Sequence, residues 1–183
     1  TVGIDFRAVT PQVIYPINME SLESSSSICD SSGEVLFYTN GGADSNEVAC
    51  FISKEYHYHK DNQIKNTILS FQKSFHGGST LGSSLMSGDN RRVNKEKYYN
   101  LPFEPIMKNP SLIDGGEESL TQIEELFKTK KDISAILIEG SSGSAGCILY
   151  PDNYLKRLEL LCRKYNILII CDEVMSGFGR TGK

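Results

Sequence analysis

Residues Ile133–Glu173 read ISAILIEGSSGSAGCILYPDNYLKRLELLCRKYNILIICDE, and this stretch decides the fold. Its first seven residues, Ile133–Glu139, are almost wholly apolar and rich in isoleucine, the composition of a strand buried on both faces. A Gly- and Ser-rich loop follows. Asp152 is placed to cap a helix in which Leu155, Leu158, Leu161 and Cys162 recur at helical spacing. Asn166 ends that helix, and ILIICDE, Ile167–Glu173, is a second buried strand. Continuous apolar strands alternating with helices predict an α/β fold, a mostly parallel sheet with helices on both faces.

The alternation extends upstream. Glu117–Lys130 is expected to be a helix with Leu120, Ile123 and Phe127 on one side, acidic in its first turn and basic in its last, as the helix dipole favours. Asn66–Phe71, NTILSF, and Val35–Thr39, VLFYT, are strand candidates. Between them a helix is expected to turn Val48, Phe51, Ile52 and Glu55 inward, three of the four being apolar. Lys95–Ile113 holds Pro102, Pro105 and Pro110 and reads as a long irregular connection. The serine-rich MESLESSSSICDSSGE reads as a loop, and a short helix is expected from Ser79.

At 183 residues with 39% apolar content, the chain has enough material for one domain with a sizeable core. A net charge of -4 gives no basic field for nucleic acid, and no run of 18 apolar residues is present to span a membrane. The five cysteines have no zinc-ligand spacing; Cys162 and Cys171, in apolar segments, read as reduced packing residues of an intracellular protein. Thr1 in place of an initiator Met, and the glycine-rich end, point to a piece of a longer chain.

Ligands of parallel sheets collect at the carboxyl ends of strands. Three loops are expected there: TNGGADS, EGSSGSAG and DEVMSGFGRTG. The last contains a match to the phosphate-loop pattern G-x-x-x-x-G-K, Gly177–Lys183, directly after an Asp-Glu strand end. In a nucleotide-binding phosphate loop the glycines follow the first strand and the acidic strand comes later. Here the order is reversed, and the Ser or Thr that would hold magnesium is missing, so nucleotide binding is the weakest of the readings.

The three loops together fit another chemistry. GGADSNE places glycines at a strand end and a helix start, where free amides and the dipole favour an anion, although a plain turn capped by Asp44 has the same pattern. Asp172 ends a buried strand, and a carboxylate there is costly unless a cation or donors meet it. A protonated pyridine nitrogen is such a partner, because it makes the ring an electron sink. Val174 is expected on the same side of the strand, against the ring face, with Phe75 stacked on the other.

FYTNGGADSNE, SFHGG, MSGDNRR and the segment from Ala135 to Lys183 resemble the class III, pyridoxal-phosphate-dependent aminotransferases of fold type I, most of all the omega-amino-acid/taurine–pyruvate branch. The resemblance runs from Val35 to Lys183 and makes this part of the large cofactor-binding domain, with residues 1–34 matching poorly. It implies pyridoxal 5'-phosphate as cofactor. Gly42 and Ala43 would hold the phosphate, Phe75 would stack on the ring, and His76 would continue that motif. Glu139 would lie close to the cofactor, Asp172 would pair with the pyridinium nitrogen, and Val174 would pack under the ring. Arg180 matches an arginine of the structural G-R-T-G turn.

The resemblance also implies amino transfer from an amine or omega-amino acid to a keto acid such as pyruvate, a homodimer, and a cytoplasmic or mitochondrial-matrix location. Departures are Gly140 where proline is usual, Ser142 and Ser144 where Gln and Glu occur in some branches, and Met175 where many members have Gln. Lys183 matches a variable position, so no Schiff-base lysine and hence no catalytic residue is assigned within the chain. The chain alone is expected not to transaminate, and a catalytically silent cofactor-binding or interaction module stands as the alternative reading.

His57 and His59, lacking further ligands, read as a solvated helix end, and no metal site is expected. NRRVNKEK reads as a solvated loop in which Arg91 or Arg92 is a candidate for a substrate carboxylate.

Overall fold

A computed structural model describes residues 3–5, 12–14, 26–29, 35–39, 41–78, 103–140, 142–143, 146–177 and 179–180. The proposed helix from Ser79, the MSGDNRR motif, Arg91, Arg92 and Lys183 lie outside the described residues. Two compact units divide the chain, Thr1–Ser45 and Asn46–Lys183.

The first unit holds two antiparallel pairs. β1 (Gly3–Asp5) pairs with β2 (Gln12–Ile14), and β3 (Ser26–Cys29) pairs with β4 (Val35–Thr39). This corrects two expectations. The serine-rich segment contains a strand, because a ladder to β4 satisfies its backbone regardless of side chains. VLFYT is a strand, yet its partner is antiparallel β3, so the TNGGADS loop does not follow a strand of the parallel sheet.

The second unit is built on a four-stranded sheet in the order β6-β5-β7-β8, with every pairing parallel. Its strands are β5 (Thr67–Phe71), β6 (Phe103–Met107), β7 (Ile133–Glu139) and β8 (Leu168–Asp172). All of β5 and β7 is buried, as their apolar runs require. β6 falls inside the segment expected to be irregular. It tolerates Pro105 because, among the described residues, it pairs on one side only, and its register against β5 slips between Leu69 and Phe71, where β6 carries that proline.

Side chains alternate between the two faces of the sheet. Leu69, Phe71, Ile136 and Ile138 join the larger core with Leu120, Ile123 and Phe127 of α2 (Glu117–Thr129) and Tyr154, Leu158 and Cys162 of α3 (Tyr154–Lys164). Ile68, Ala135 and Leu137 point the other way, toward Cys50 of α1 (Gly42–Asp61), with Leu168 and Ile170 beside them. Helices thus cover both faces.

α2 buries the stripe read from its sequence. Asp114 accepts from the N–H groups of Gly116 (3.0 Å) and Glu118 (2.8 Å) at its start. Gly116 sits at φ 81°, and a β-carbon there would collide with the Tyr154 ring, so this turn requires glycine. α3 begins without the cap expected from Asp152. Asn153, left-handed at φ 61°, precedes Tyr154, and no side chain caps the end. Tyr154 itself is buried, its hydroxyl meets Ser119 Oγ at 2.6 Å, and its backbone N–H donates to the Pro151 carbonyl at 3.0 Å. Leu155, expected inside, is exposed.

The face of α1 is the clearest reversal. Its buried residues are Asn46, Cys50, Ser53 and His57, while Phe51 is 62% exposed and Ile52 also lies outward. The inward spacing is helical, but the sheet beneath offers polar partners. Ser53 Oγ lies 3.3 Å from Ser134 Oγ, and His57 Nε2 lies 2.9 Å from the Ser134 carbonyl. His57 is fully buried rather than a solvated helix end; His59 is exposed.

Candidate functional site

β8 presents Asp172 as its last residue, in register with Glu139, the last residue of β7. Alternation puts Asp172 on the side of Leu168 and Ile170, and Glu139 on the side of Ala135 and Leu137, so both carboxylates face α1. Both are buried, Asp172 at 7% exposure.

Three donors meet Asp172. Oδ2 accepts from Asn46 Nδ2 at 2.8 Å and lies 2.9 Å from His76 Nδ1. Oδ1 accepts the Val174 N–H at 3.1 Å. Burial by itself raises this carboxyl, but the hydrogen bond and charge of His76 outweigh it, with help from Asn46 and the Val174 N–H, so the group is held below the usual carboxylate range. The result is an ionised, acceptor-only carboxylate in the interior.

Glu139 secures the neighbouring segment. Its Oε1 accepts the backbone N–H of Phe75 at 2.9 Å, and its carbonyl accepts from Tyr150 Oη at 2.8 Å. Residues 75 and 76 are therefore held by both carboxylates, one through the main chain and one through the imidazole. His76 is buried, and its Nε2 has no hydrogen-bond partner among the described residues. The Phe75 ring is 41% exposed.

After Asp172 the chain turns at once. Gly177 donates to the Glu173 carbonyl at 2.8 Å, where a β-carbon on Gly177 would approach the same oxygen to 2.9 Å. Val174 lies in this turn rather than in the strand, so strand alternation does not place it; it is 49% exposed. Arg180 donates its N–H to the Gly177 carbonyl within the following turn. Among the described residues, Gly177 thus follows the acidic strand end within a single turn; Gly182 and Lys183 of the phosphate-loop match lie outside them.

Ser176 and Gly140 meet across the strand ends. The Gly140 N–H donates to the Asp172 carbonyl at 3.3 Å, and a β-carbon at 140 would lie 2.8 Å from Ser176 Oγ. Cys171, read as a packing residue, is exposed, because β8 is paired on one side only among the described residues. Gly42 and Ala43 form the first turn of α1, where the leading amides have no partner within the helix.

The structure thus brings together Phe75, His76, Glu139, Asp172 and Val174. Sequence reading missed Asn46. The available signal was its place one turn into a helix, at i+4 from Gly42, on the side that also carries Cys50, Ser53 and His57.

Asp172 provides the fit test for a pyridoxal cofactor. Among the described residues both lone pairs of Oδ2 are engaged and one of Oδ1, which leaves one acceptor position and a full negative charge, as suits a ring N–H⁺. The residues present fit the group.

Comparison with known proteins agrees. A family model described as "Aminotransferase class-III" matches residues 10–183. The chain is 31% identical over 156 residues to an uncharacterized aminotransferase of Bacillus subtilis, covering 81% of this chain and 34% of that protein. It is 37% identical over 153 residues to the mitochondrial ornithine aminotransferase of Arabidopsis thaliana, covering 82% and 30%. Among solved structures, the taurine:2-oxoglutarate aminotransferase of Bifidobacterium kashiwanohense, in complex with PLP and glutamate, superposes with a TM-score of 0.67 at 37% identity, covering 79% of this chain and 34% of that one. The chain spans about a third of the length of the curated relatives it matches, 34% and 30% for the two above. With the family model matched along nearly all of it and the strand-end carboxylate in place, the chain belongs to the class III aminotransferases, a pyridoxal-phosphate-dependent family.

Proposed function

We propose that this chain forms the ring-nitrogen and phosphate-binding part of a pyridoxal 5'-phosphate site in an aminotransferase. The observation that carries the reading is Asp172, a buried carboxylate kept ionised by His76, Asn46 and the Val174 N–H. When bound, the cofactor supplies an electron sink for moving an amino group.

The chain's own residues have separable tasks in this reading. Asp172 accepts a hydrogen bond from the ring nitrogen and keeps its proton there. Phe75 and Val174, apolar and partly exposed, pack against the ring and exclude water from it. Glu139 holds the Phe75 main chain, and so the angle of that ring. Gly42 and Ala43 offer little bulk and amides without a partner inside the helix at the start of a long helix, which suits a phosphate.

Substrates in this reading are an amine or omega-amino acid as donor and a keto acid such as pyruvate as acceptor; the 37% identity to the taurine:2-oxoglutarate aminotransferase supports the donor class, while the acceptor named for that protein is 2-oxoglutarate. A homodimer is part of the same proposal. The resemblance to the family assigns no lysine of this segment to the covalent cofactor bond, and in this reading the segment taken alone binds without turnover.

The experiment titrates the chain with pyridoxal 5'-phosphate, follows the cofactor's visible absorbance, and assays alanine formation from pyruvate with taurine or β-alanine. Saturable binding that Asp172→Asn weakens, without alanine formation, is the expected result. An unshifted cofactor spectrum sinks the binding reading, and a measurable rate sinks the expectation of no turnover.

A further inference from the structure

Two side-chain donors converge on Asp172 Oδ2 from outside its own strand: the His76 ring at 2.9 Å and the Asn46 amide at 2.8 Å. The same Asn46 nitrogen reaches the His76 carbonyl at 3.3 Å. Both of its partners can only accept, so chemistry requires the nitrogen, not the oxygen, of that amide to face them. Asn46 is buried, and 126 residues separate it from Asp172. Asparagine is a poor helix former, and its place inside α1 is explained by this contact rather than by the helix.

Carboxylate oxygens have two lone pairs each. Among the described residues, Oδ2 has both occupied, by Asn46 and His76, and Oδ1 has one occupied, by the Val174 N–H. Two donors fixed to one oxygen stop the carboxylate from rotating and determine which oxygen remains open. An amide donor also does not titrate, so this restraint does not itself depend on pH.

We propose that Asn46 is a positioning residue of the cofactor site: it ties down Asp172 Oδ2 and so presents Oδ1 to the ring nitrogen, without touching the cofactor itself. The inference rests on the pyridoxal-phosphate reading above.

The test compares the unsubstituted chain with Asn46→Leu, which keeps similar bulk, and Asn46→Ala. Each is titrated with pyridoxal 5'-phosphate and with its 1-deaza analogue, in which C–H replaces the ring nitrogen. Loss of one charge-assisted donor is expected to weaken pyridoxal-phosphate binding about tenfold in both variants, with affinity for the deaza analogue unchanged. Equal weakening of both ligands assigns Asn46 a merely structural role and overturns the proposal, as does no weakening of either. If the unsubstituted chain binds neither ligand, the cofactor reading itself fails and the proposal falls with it. Should the variants not fold, the Asn46 side-chain amide signals of the unsubstituted chain decide by NMR. A shift on adding pyridoxal phosphate but not the deaza analogue is expected, and any other pattern overturns the proposal.

Discussion

Glu139 and Asp172 are register partners at the carboxyl ends of two adjacent parallel strands, and both are buried on the face covered by α1. They divide the work of holding one short segment. Glu139 accepts the main-chain N–H of Phe75, and Asp172 meets the ring of His76. The segment that follows β5 is thereby fixed to the ends of β7 and β8, and the site is assembled from three strands that are distant in sequence.

Removing the imidazole tests this arrangement. His76→Leu leaves Oδ2 with Asn46 as its remaining donor, so the Asp172 carboxyl rises toward the ordinary range. Pyridoxal-phosphate affinity is expected to fall about tenfold near pH 8. It should fall further on acidification, beginning at a higher pH than in the unsubstituted chain. Binding isotherms across that pH range check this, and superimposable profiles contradict it.

Gly140 and Ser176 are expected to be coupled. Gly140→Ala brings a β-carbon within 2.8 Å of Ser176 Oγ, an atom that is buried and has no hydrogen-bond partner among the described residues. The single substitution is expected to destabilise by about 1–3 kcal/mol through overpacking. Adding Ser176→Ala removes the colliding atom and restores most of the loss, while Ser176→Ala alone is close to neutral. Urea unfolding of the four proteins measures the coupling, and strict additivity contradicts the packing described.

Gly116 is a backbone requirement as well as a packing one. Gly116→Ala forces a side chain into the left-handed region and against Tyr154. A loss of about 2–4 kcal/mol is expected from the two effects together, read as a lower urea midpoint with an unchanged slope.

His57 gives the fold a dependence on acid. Burial lowers its basicity and outweighs the hydrogen bond to the Ser134 carbonyl; Lys65 and Lys60 act in the same direction as burial, and Asp61 opposes them. Its folded pKa is thus below the unfolded value of about 6.5. The neutral ring favours the folded state, so its contribution is complete above about pH 6.5 and is lost as pH falls toward the folded pKa. His57→Gln keeps a donor for Ser134 and does not titrate. Between pH 7.5 and pH 5 the unsubstituted chain is expected to lose more stability than this variant. Equal losses contradict the assignment.

Much of the parallel sheet could be read in advance because β5 and β7 are buried on both faces and so carry unbroken apolar runs. Leu120, Ile123 and Phe127 were equally legible, since α2 meets a hydrophobic core along one stripe. The face of α1 was not. Its inner side meets Ser134, His76 and Asp172, so polar residues belong there, and a search for apolar periodicity selects Phe51 and Ile52 instead. β6 was hidden by Pro105, which a strand paired on one side, as β6 is among the described residues, accepts and a central strand does not. Asp172 was legible as a carboxylate that needs partners. Which partners it has, Asn46 above all, depended on a tertiary contact that sequence spacing does not encode.

The most direct measurement is the ¹⁵N chemical shift of the ring nitrogen in labelled pyridoxal 5'-phosphate bound to the chain at pH 8. A protonated nitrogen in the unsubstituted chain, and an unprotonated one bound to Asp172→Asn, is the result expected. An unprotonated nitrogen in both, or a protonated one that survives the loss of the Asp172 carboxylate, contradicts the account.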